Sequence, residues 1–144
     1  MLKISKLVDH GTLVLSQLPH KDHGYISASN VAQKINLSPS NVSKILKLMN
    51  KSQLVKSERG ANGGYALNSQ PEKITAAHIL TALEGPIAIT ECLTDATNCK
   101  VEQTCSMGHG WKKINHLIQD ALSTMTLKEL QEKPIHFKSL TLRS

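Results

Sequence analysis

Apolar residues recur at helical spacing along most of this chain. In the opening segment MLKISKLVDHGTLVLSQL, the residues Leu2, Ile4, Leu7, Val8, Leu13, Val14, Leu15 and Leu18 stand three or four positions apart. That spacing predicts an amphipathic helix. His20 to Gly24 reads as a solvated polar loop, although its two histidines also suit a metal. Ser27 is placed to cap a second helix carrying Ala28, Val31, Ala32 and Ile35 on one face. Asn36 and Leu37 make a short turn, and Ser38-Pro39 pairs an N-cap with a proline at the first helical position. A third helix then points Val42, Ile45, Leu46 and Met49 inward. Two short helices joined by a tight turn form a helix-turn-helix.

Helical spacing stops after Met49. Leu54–Glu58 and Tyr65–Leu67 read as two short strands joined by a glycine-bearing turn over residues 60–64, which makes a wing. Pro71–Ile74 is a linker, and Thr75 caps a helix that runs to Leu83 and stops at Gly85. Residues 86–108 have too little periodicity for a regular element. The helical pattern returns from about His109 to Met125 with Trp111, Ile114, Leu117, Ile118, Ala121, Leu122 and Met125. Thr126-Leu127-Lys128-Glu129 spells a capping box for a short last helix. The fold expected is mainly α, a winged helix-turn-helix domain with a two-stranded wing and a long C-terminal helix. Its parts are a winged-helix domain over 1–85, a cysteine-bearing loop over 86–108, helices over 109–131 and a flexible tail over 132–144.

Charge narrows the class of partner. Nine Lys/Arg and three Asp/Glu lie in residues 1–70, whereas residues 71–144 carry eight of each. All the excess positive charge therefore sits on the winged-helix half, where a polyanion such as nucleic acid is the natural partner. Aromatic residues are only 3% of the chain, so the core must be aliphatic. No apolar run approaches the roughly twenty residues of a membrane span, and the N-terminus lacks the order of a signal peptide. A cytoplasmic location without membrane contact is expected.

The outward face of the third helix carries Ser40, Asn41, Ser43 and Lys44. Small polar residues at a helix start suit major-groove entry, where Asn41 can pair with adenine and Lys44 can reach guanine or phosphate. Ser38 and Ser40 suit phosphate contacts. Arg59 and Asn62 sit in the wing turn, and an arginine on a thin loop can enter a narrow minor groove. A plain solvated surface is the competing reading, and for Lys47 and Lys51 it is preferred.

Three cysteines, Cys92, Cys99 and Cys105, fall within fourteen residues. An odd number in a reducing compartment argues against a disulfide framework and for metal or redox chemistry. The spacing is neither a zinc-ribbon pair nor a ferredoxin run. Three thiolates on one loop can converge on a soft metal but leave the fourth position to another residue, with His109 nearby and Asp9 distant. Three unrelated buried thiols remain the alternative. No Cys/His/Asp arrangement supports a nucleophilic enzyme, and the string RGANGGY lacks the Lys-Ser/Thr of a phosphate loop.

Taken together, KISKLVDHGTLVL, LSPSNVSKILKLM, LVKSERGANGGYAL, ITAAHILTALEGPIAI, the three cysteines and WKKINHLIQDALSTMTLKEL resemble the IscR- and NsrR-type iron–sulfur regulators. The similarity spans nearly the whole chain and looks nearest to the branch that regulates the SUF cluster-assembly operon. It implies a homodimer paired through the long C-terminal helix and bound to a pseudo-palindromic operator in double-stranded DNA. It also implies an iron–sulfur cluster on Cys92, Cys99 and Cys105, a 2Fe–2S cluster before a 4Fe–4S one. In the IscR pattern a histidine three residues after the third cysteine completes the ligand set; here that position is Gly108, and His109 follows it. NsrR-type members use an aspartate of the first helix from the partner subunit, which Asp9 matches. The function implied is a repressor of cluster-assembly genes that senses cluster, redox or nitrosative status. A zinc- or thiol-redox-dependent regulator on the same fold is the alternative.

Overall fold

The computed structural model describes residues 3–90, 93 and 104–132. Helix α1 runs over Lys6–Ser16, α2 over Ala28–Ile35 and α3 over Pro39–Lys51. Strands β1 (Val55–Glu58) and β2 (Gly64–Leu67) follow, then α4 (Ala76–Glu84), α5 (Gly108–Thr124) and α6 (Leu127–Gln131). Short 3-10 turns occupy Lys21–His23 and Pro71–Lys73. The architecture is mainly helical with one two-stranded wing, as the residue pattern predicts. Among the described residues no helix is long and apolar enough to cross a membrane.

Local caps set the helix boundaries. Ser5 holds an extended backbone and its Oγ accepts the Val8 N–H at 3.3 Å, so α1 starts at Lys6 rather than at the chain start. Ile4 then falls outside the helix and is left 53% exposed. Ser27 Oγ accepts the Asn30 N–H at 3.2 Å, and Ser38 Oγ accepts the Asn41 N–H at 3.4 Å ahead of Pro39. Between these helices Asn36 takes the left-handed conformation, with φ 54°.

The core is the aliphatic cluster expected from the composition. Val42, Ile45, Leu46 and Met49 of α3 are essentially inaccessible and meet Val14 and Leu15 of α1, Val31 of α2 and Ile79 of α4. Gly11 lets α1 lie close, since a Cβ there would stand 2.5 Å from Leu83 Cδ1 and 2.9 Å from Met49 Cε.

The wing is stitched to the helices. Val55 pairs with Leu67 and Glu58 with Gly64 in an antiparallel ladder. Tyr65 N–H donates to Ile26 C=O at 2.8 Å, and Ile26 N–H donates to Tyr65 C=O at 3.0 Å. Gly64 permits this approach: its φ is 142°, and a Cβ would lie 2.3 Å from the Ile26 carbonyl oxygen. The Leu67 N–H reaches Pro19 C=O at 2.8 Å.

The C-terminal elements return to the same body. Thr126 and Glu129 form the capping box that the sequence spells, with Glu129 Oε2 accepting the Thr126 N–H at 2.8 Å. The Leu127 N–H donates to Ile74 C=O at 2.7 Å, and the Ala76 N–H donates to Met125 C=O at 2.8 Å. Leu127 is fully buried in the core. Of the predicted flexible tail, residues 133–144 lie outside the described residues.

Candidate nucleic-acid interface and cysteine loop

The α3 face opposite the core presents Ser40, Asn41 and Lys44 to solvent, with Ser43 half-buried. Ser38 is exposed too, but its hydroxyl is engaged as the cap and lies 3.4 Å from the Ser40 hydroxyl. Lys47 and Lys51 extend the exposed basic stripe. The α3 N-terminus thus offers small polar groups ahead of longer cations, an arrangement that fits a groove edge and a phosphate row.

Arg59 and Asn62 are exposed in the wing turn, closed by the Gly63 N–H on Gly60 C=O at 3.1 Å. The hydrogen bonds through Ile26 and Pro19 fix the wing against the helix-turn-helix, so turn and recognition helix keep a set spacing. One acid, Glu58, adjoins Arg59. Burial pushes the half-buried Tyr25 phenol above its ordinary value, and the neighbouring Glu58 adds to the rise. Sequence reasoning missed this pair because its partners lie far apart in the chain.

In the His20–Gly24 segment Lys21, Asp22, His23 and Gly24 are exposed as its composition predicts, and His20 alone is sheltered. The His20 side chain is only 9% exposed, accepts the Asp22 N–H on Nδ1 at 3.4 Å and lies 3.1 Å from Asp22 Oδ2. Its ring meets His23 edge to face at 6.2 Å. It acts as the cap of a 3-10 turn.

Cys92 and Cys99 lie outside the described residues. Cys105 is a free, exposed thiol three residues before α5. His109 is exposed in the first turn of α5, and His116 is exposed further along. Asp9 is exposed on α1, where it lines a groove of about 590 Å³ with Leu13, Ser16 and Leu130. Among the described residues of one chain, Asp9, Cys105 and His109 do not gather into a metal-binding group.

Helix α5 itself has two faces. Ile118 and Leu122 turn towards α4 and help line a second groove with Leu80 and Ile87. Trp111, Ile114 and Leu117 turn outward, 46%, 43% and 61% exposed, with Ala121 also exposed. The buried polar residue among those described is Asn115, whose amide bonds the backbone of Ile87 and Ile89.

Comparison with known proteins gives this geometry a context. The Rrf2 profile, described as an iron-dependent transcriptional regulator, matches residues 4–133. The HTH-type transcriptional regulator CymR of Bacillus subtilis is 35% identical over 130 residues, covering 90% of this chain and 89% of that protein. The IscR regulator of Erwinia tasmaniensis is 26% identical over 119 residues, 83% of this chain and 72% of the relative. The structure of CymR, the global cysteine regulator of B. subtilis, superposes with a TM-score of 0.68 at 36% identity, covering 90% of this chain and 96% of that one. The T. potens IscR structure gives 0.64 at 26% identity over 93% and 94% of the two chains. These relatives are DNA-binding transcription regulators and not enzymes. With a winged helix-turn-helix fold and a family match along nearly its whole length, this chain belongs to the Rrf2 family of transcription regulators.

Proposed function

We propose that this protein is a homodimeric, cytoplasmic transcriptional repressor whose affinity for DNA is set by the state of its cysteine loop, and that it governs iron–sulfur cluster assembly genes. The observation that carries the dimer is the outward face of α5. Trp111, Ile114 and Leu117 form an apolar stripe that the described residues leave exposed, on a helix whose middle bonds the Ile87–Ile89 segment and whose C-terminal end is joined to the start of α4. A symmetric pairing along that stripe buries it. Because α5 packs on α4, which packs on α3, the pairing also sets the separation of two recognition helices, at about 34 Å for one turn of DNA, which suits a pseudo-palindrome. The α3 residues Ser38, Ser40, Asn41, Ser43 and Lys44 then face the major groove and its phosphates, while Arg59 and Asn62 reach the minor groove.

For the sensor, the three-thiol loop is the carrying feature. Cys92, Cys99 and Cys105 supply soft ligands for an iron–sulfur cluster, with His109 or Asp9 of the partner subunit as the fourth. The exposure of Cys105 and His109 suits ligation at the start of α5. Within one chain Asp9 does not join Cys105 and His109 in a metal-binding group, which suits an aspartate serving across the dimer. When bound, the cluster supplies a redox- and occupancy-dependent state; the chain's own part is to hold the loop and pass its state to α5.

The test is a visible spectrum with iron and sulfide analysis on protein purified without oxygen. About two irons and two sulfides per subunit support a 2Fe–2S centre, and about four of each a 4Fe–4S centre. Cys99→Ser is expected to lose the colour while remaining a folded dimer. A colourless protein that resists reconstitution sinks the cluster. A thiol switch is the second reading, favoured by the exposed thiol of Cys105 and the likeness to a cysteine regulator. Operator affinity that responds to a thiol oxidant in colourless protein selects it.

A further inference from the structure

Helix α5 carries the same spacing twice. Ile114, Leu117 and Ala121 stand three and four positions apart, and so do Asn115, Ile118 and Leu122, one residue further on. At 3.6 residues per turn, a displacement of one residue is a rotation of about 100° about the helix axis. That rotation exchanges the two rows, so apolar spacing allows either of them to face α4. In the structure the second row faces inward: Ile118 and Leu122 are half-buried and Asn115 is 7% exposed, whereas Ile114, Leu117 and Ala121 are exposed. The sheltered row is the one that contains a polar residue.

Hydrogen bonding separates the two rows. Asn115 Oδ1 accepts the Ile89 N–H at 3.2 Å, while Asn115 Nδ2 donates to Ile87 C=O at 3.3 Å. Gln119 Nε2 donates to the same carbonyl at 3.0 Å. A groove of about 480 Å³ lined by Leu80, Ile87, Ile118 and Leu122 runs along the inner row, so the apolar contact there is open and tolerates a shift of the helix. The amide tolerates none. A buried amide has to be paired, and a donor and an acceptor two residues apart are met together in one axial and one rotational placement. An aliphatic side chain at the same position would accept any apolar neighbour. A single asparagine inside an apolar helix seam fixes register in this way.

We propose that Asn115, supported by Gln119, is the positioning residue that sets the rotation and register of α5 on the body and thereby selects the half-site spacing that the dimer reads. This rests on the dimer reading given above. The outward row pairs the two copies, α5 packs on α4, and α4 packs on α3. The angle at which Ile114, Leu117 and Ala121 leave the body therefore decides where the two recognition helices stand. With the amide in place α5 has one seating and the dimer one spacing. Without it the inner row is wholly apolar, several seatings lie close in energy, and the recognition helices are no longer held at one separation.

The experiment uses the full chain and a duplex selected against it from a random-sequence library, remade with the spacer between half-sites longer or shorter by one and two base pairs. Each base pair moves a half-site by about 3.4 Å and turns it by about 35°. The parent is expected to lose about tenfold or more on each altered duplex, since a displaced half-site forfeits at least one base-pair contact. Asn115→Leu keeps the side-chain bulk and removes both amide bonds. It is expected to remain a dimer in sedimentation and to bind all the spacings within about threefold of one another, less than one base-pair contact. A variant that is merely less stable would bind every duplex less well and keep the parent's ratio between spacings. Gln119→Leu, which removes one bond of three, should give an intermediate ratio. It carries the test if Asn115→Leu does not fold, and the parent's ratio in it then overturns the proposal. A folded Asn115→Leu dimer with the parent's ratio overturns the proposal and leaves the dimer reading intact. An Asn115→Leu chain that folds as a monomer shows that the asparagine forms the pair rather than sets its geometry, and equally overturns the proposal. A parent that is monomeric in sedimentation, or indifferent to spacing, removes the dimer reading, and the proposal falls with it.

Discussion

Helices α3 and α5 carry similar apolar spacings and meet opposite fates. In α3, Val42, Ile45, Leu46 and Met49 are at most 2% exposed, enclosed by α1, α2 and α4. In α5, Trp111, Ile114 and Leu117 are 43–61% exposed, and the fully sheltered position is an asparagine. Amphipathic spacing dictates that a helix has an apolar side, but whether that side is covered depends on what the rest of the chain can place opposite it. Within one chain the winged-helix half closes on itself; α5 has more apolar circumference than α4 and the Ile87 limb can cover. That surplus is the physical case for a second subunit.

The sharpest break between the two helices is a matched pair of truncations. Leu46→Ala removes buried volume from a packed core and is expected to cost about 2–5 kcal/mol in urea unfolding. Leu117→Ala, read on chains dilute enough to be monomeric, should cost no more than about 0.5 kcal/mol. It should instead weaken self-association, read by sedimentation at higher concentration. Equal destabilisation by the two substitutions would mean that Leu117 is covered within its own chain, and the contrast would collapse.

Charge sharpens the same contrast at lower amplitude. The basic excess lies on the winged-helix half and α5 lies in the balanced half. Arg59→Ala is expected to weaken operator binding about tenfold and to make the slope of log affinity against log salt shallower by about one. Lys112→Ala, an exposed cation on α5, should leave that slope unchanged. If Arg59→Ala binds like the parent at moderate salt, the wing takes no part in recognition.

Most of the winged-helix half is legible in sequence because its determinants are local. Ser27, Ser38-Pro39 and the Thr126–Glu129 box each act within three residues, and the core of α3 repeats at a regular period. What escapes is what depends on distant partners. Asn115 sits among apolar residues with nothing nearby to show that Ile87 and Ile89 are its partners, 28 and 26 positions away. The Tyr25–Glu58 pair is hidden for the same reason. The capping box at α4 also escapes, because histidine at position 78 replaces the usual glutamate or glutamine. Of the predicted site, the α3 and wing residues share one described body, whereas two of the three cysteines fall outside the described residues. Spacing likewise could not divide the six apolar residues Trp111, Ile114, Leu117, Ile118, Ala121 and Leu122 of α5 between an inner and an outer face, because α4 and the Ile87 limb, which decide the division, are remote in sequence.

The smallest expected effect lies where α5 returns to the body. The Glu129 carboxylate is held below its ordinary value, first by the Thr126 backbone N–H and then by the Thr126 hydroxyl. Glu72 is lowered in the same direction, first by its own backbone N–H and then by Lys128, 3.0 Å away. A carboxyl that binds its proton less readily when folded contributes stability above its unfolded value of 4.5, and that contribution disappears as pH falls through the lower folded value. Both groups are exposed, so the effect is small and screened by salt. Acid should therefore loosen α6, and with it the fully buried Leu127, before it disturbs the α3 core, whose buried side chains carry no titratable group. The measurement is the melting temperature from pH 6 down to about 3 for the parent and for Glu129→Gln. The variant should lose less stability over that range, because glutamine has no charge to lose. Identical acid profiles would place the acid sensitivity elsewhere and leave α6 docked by Leu127 and its backbone bonds alone.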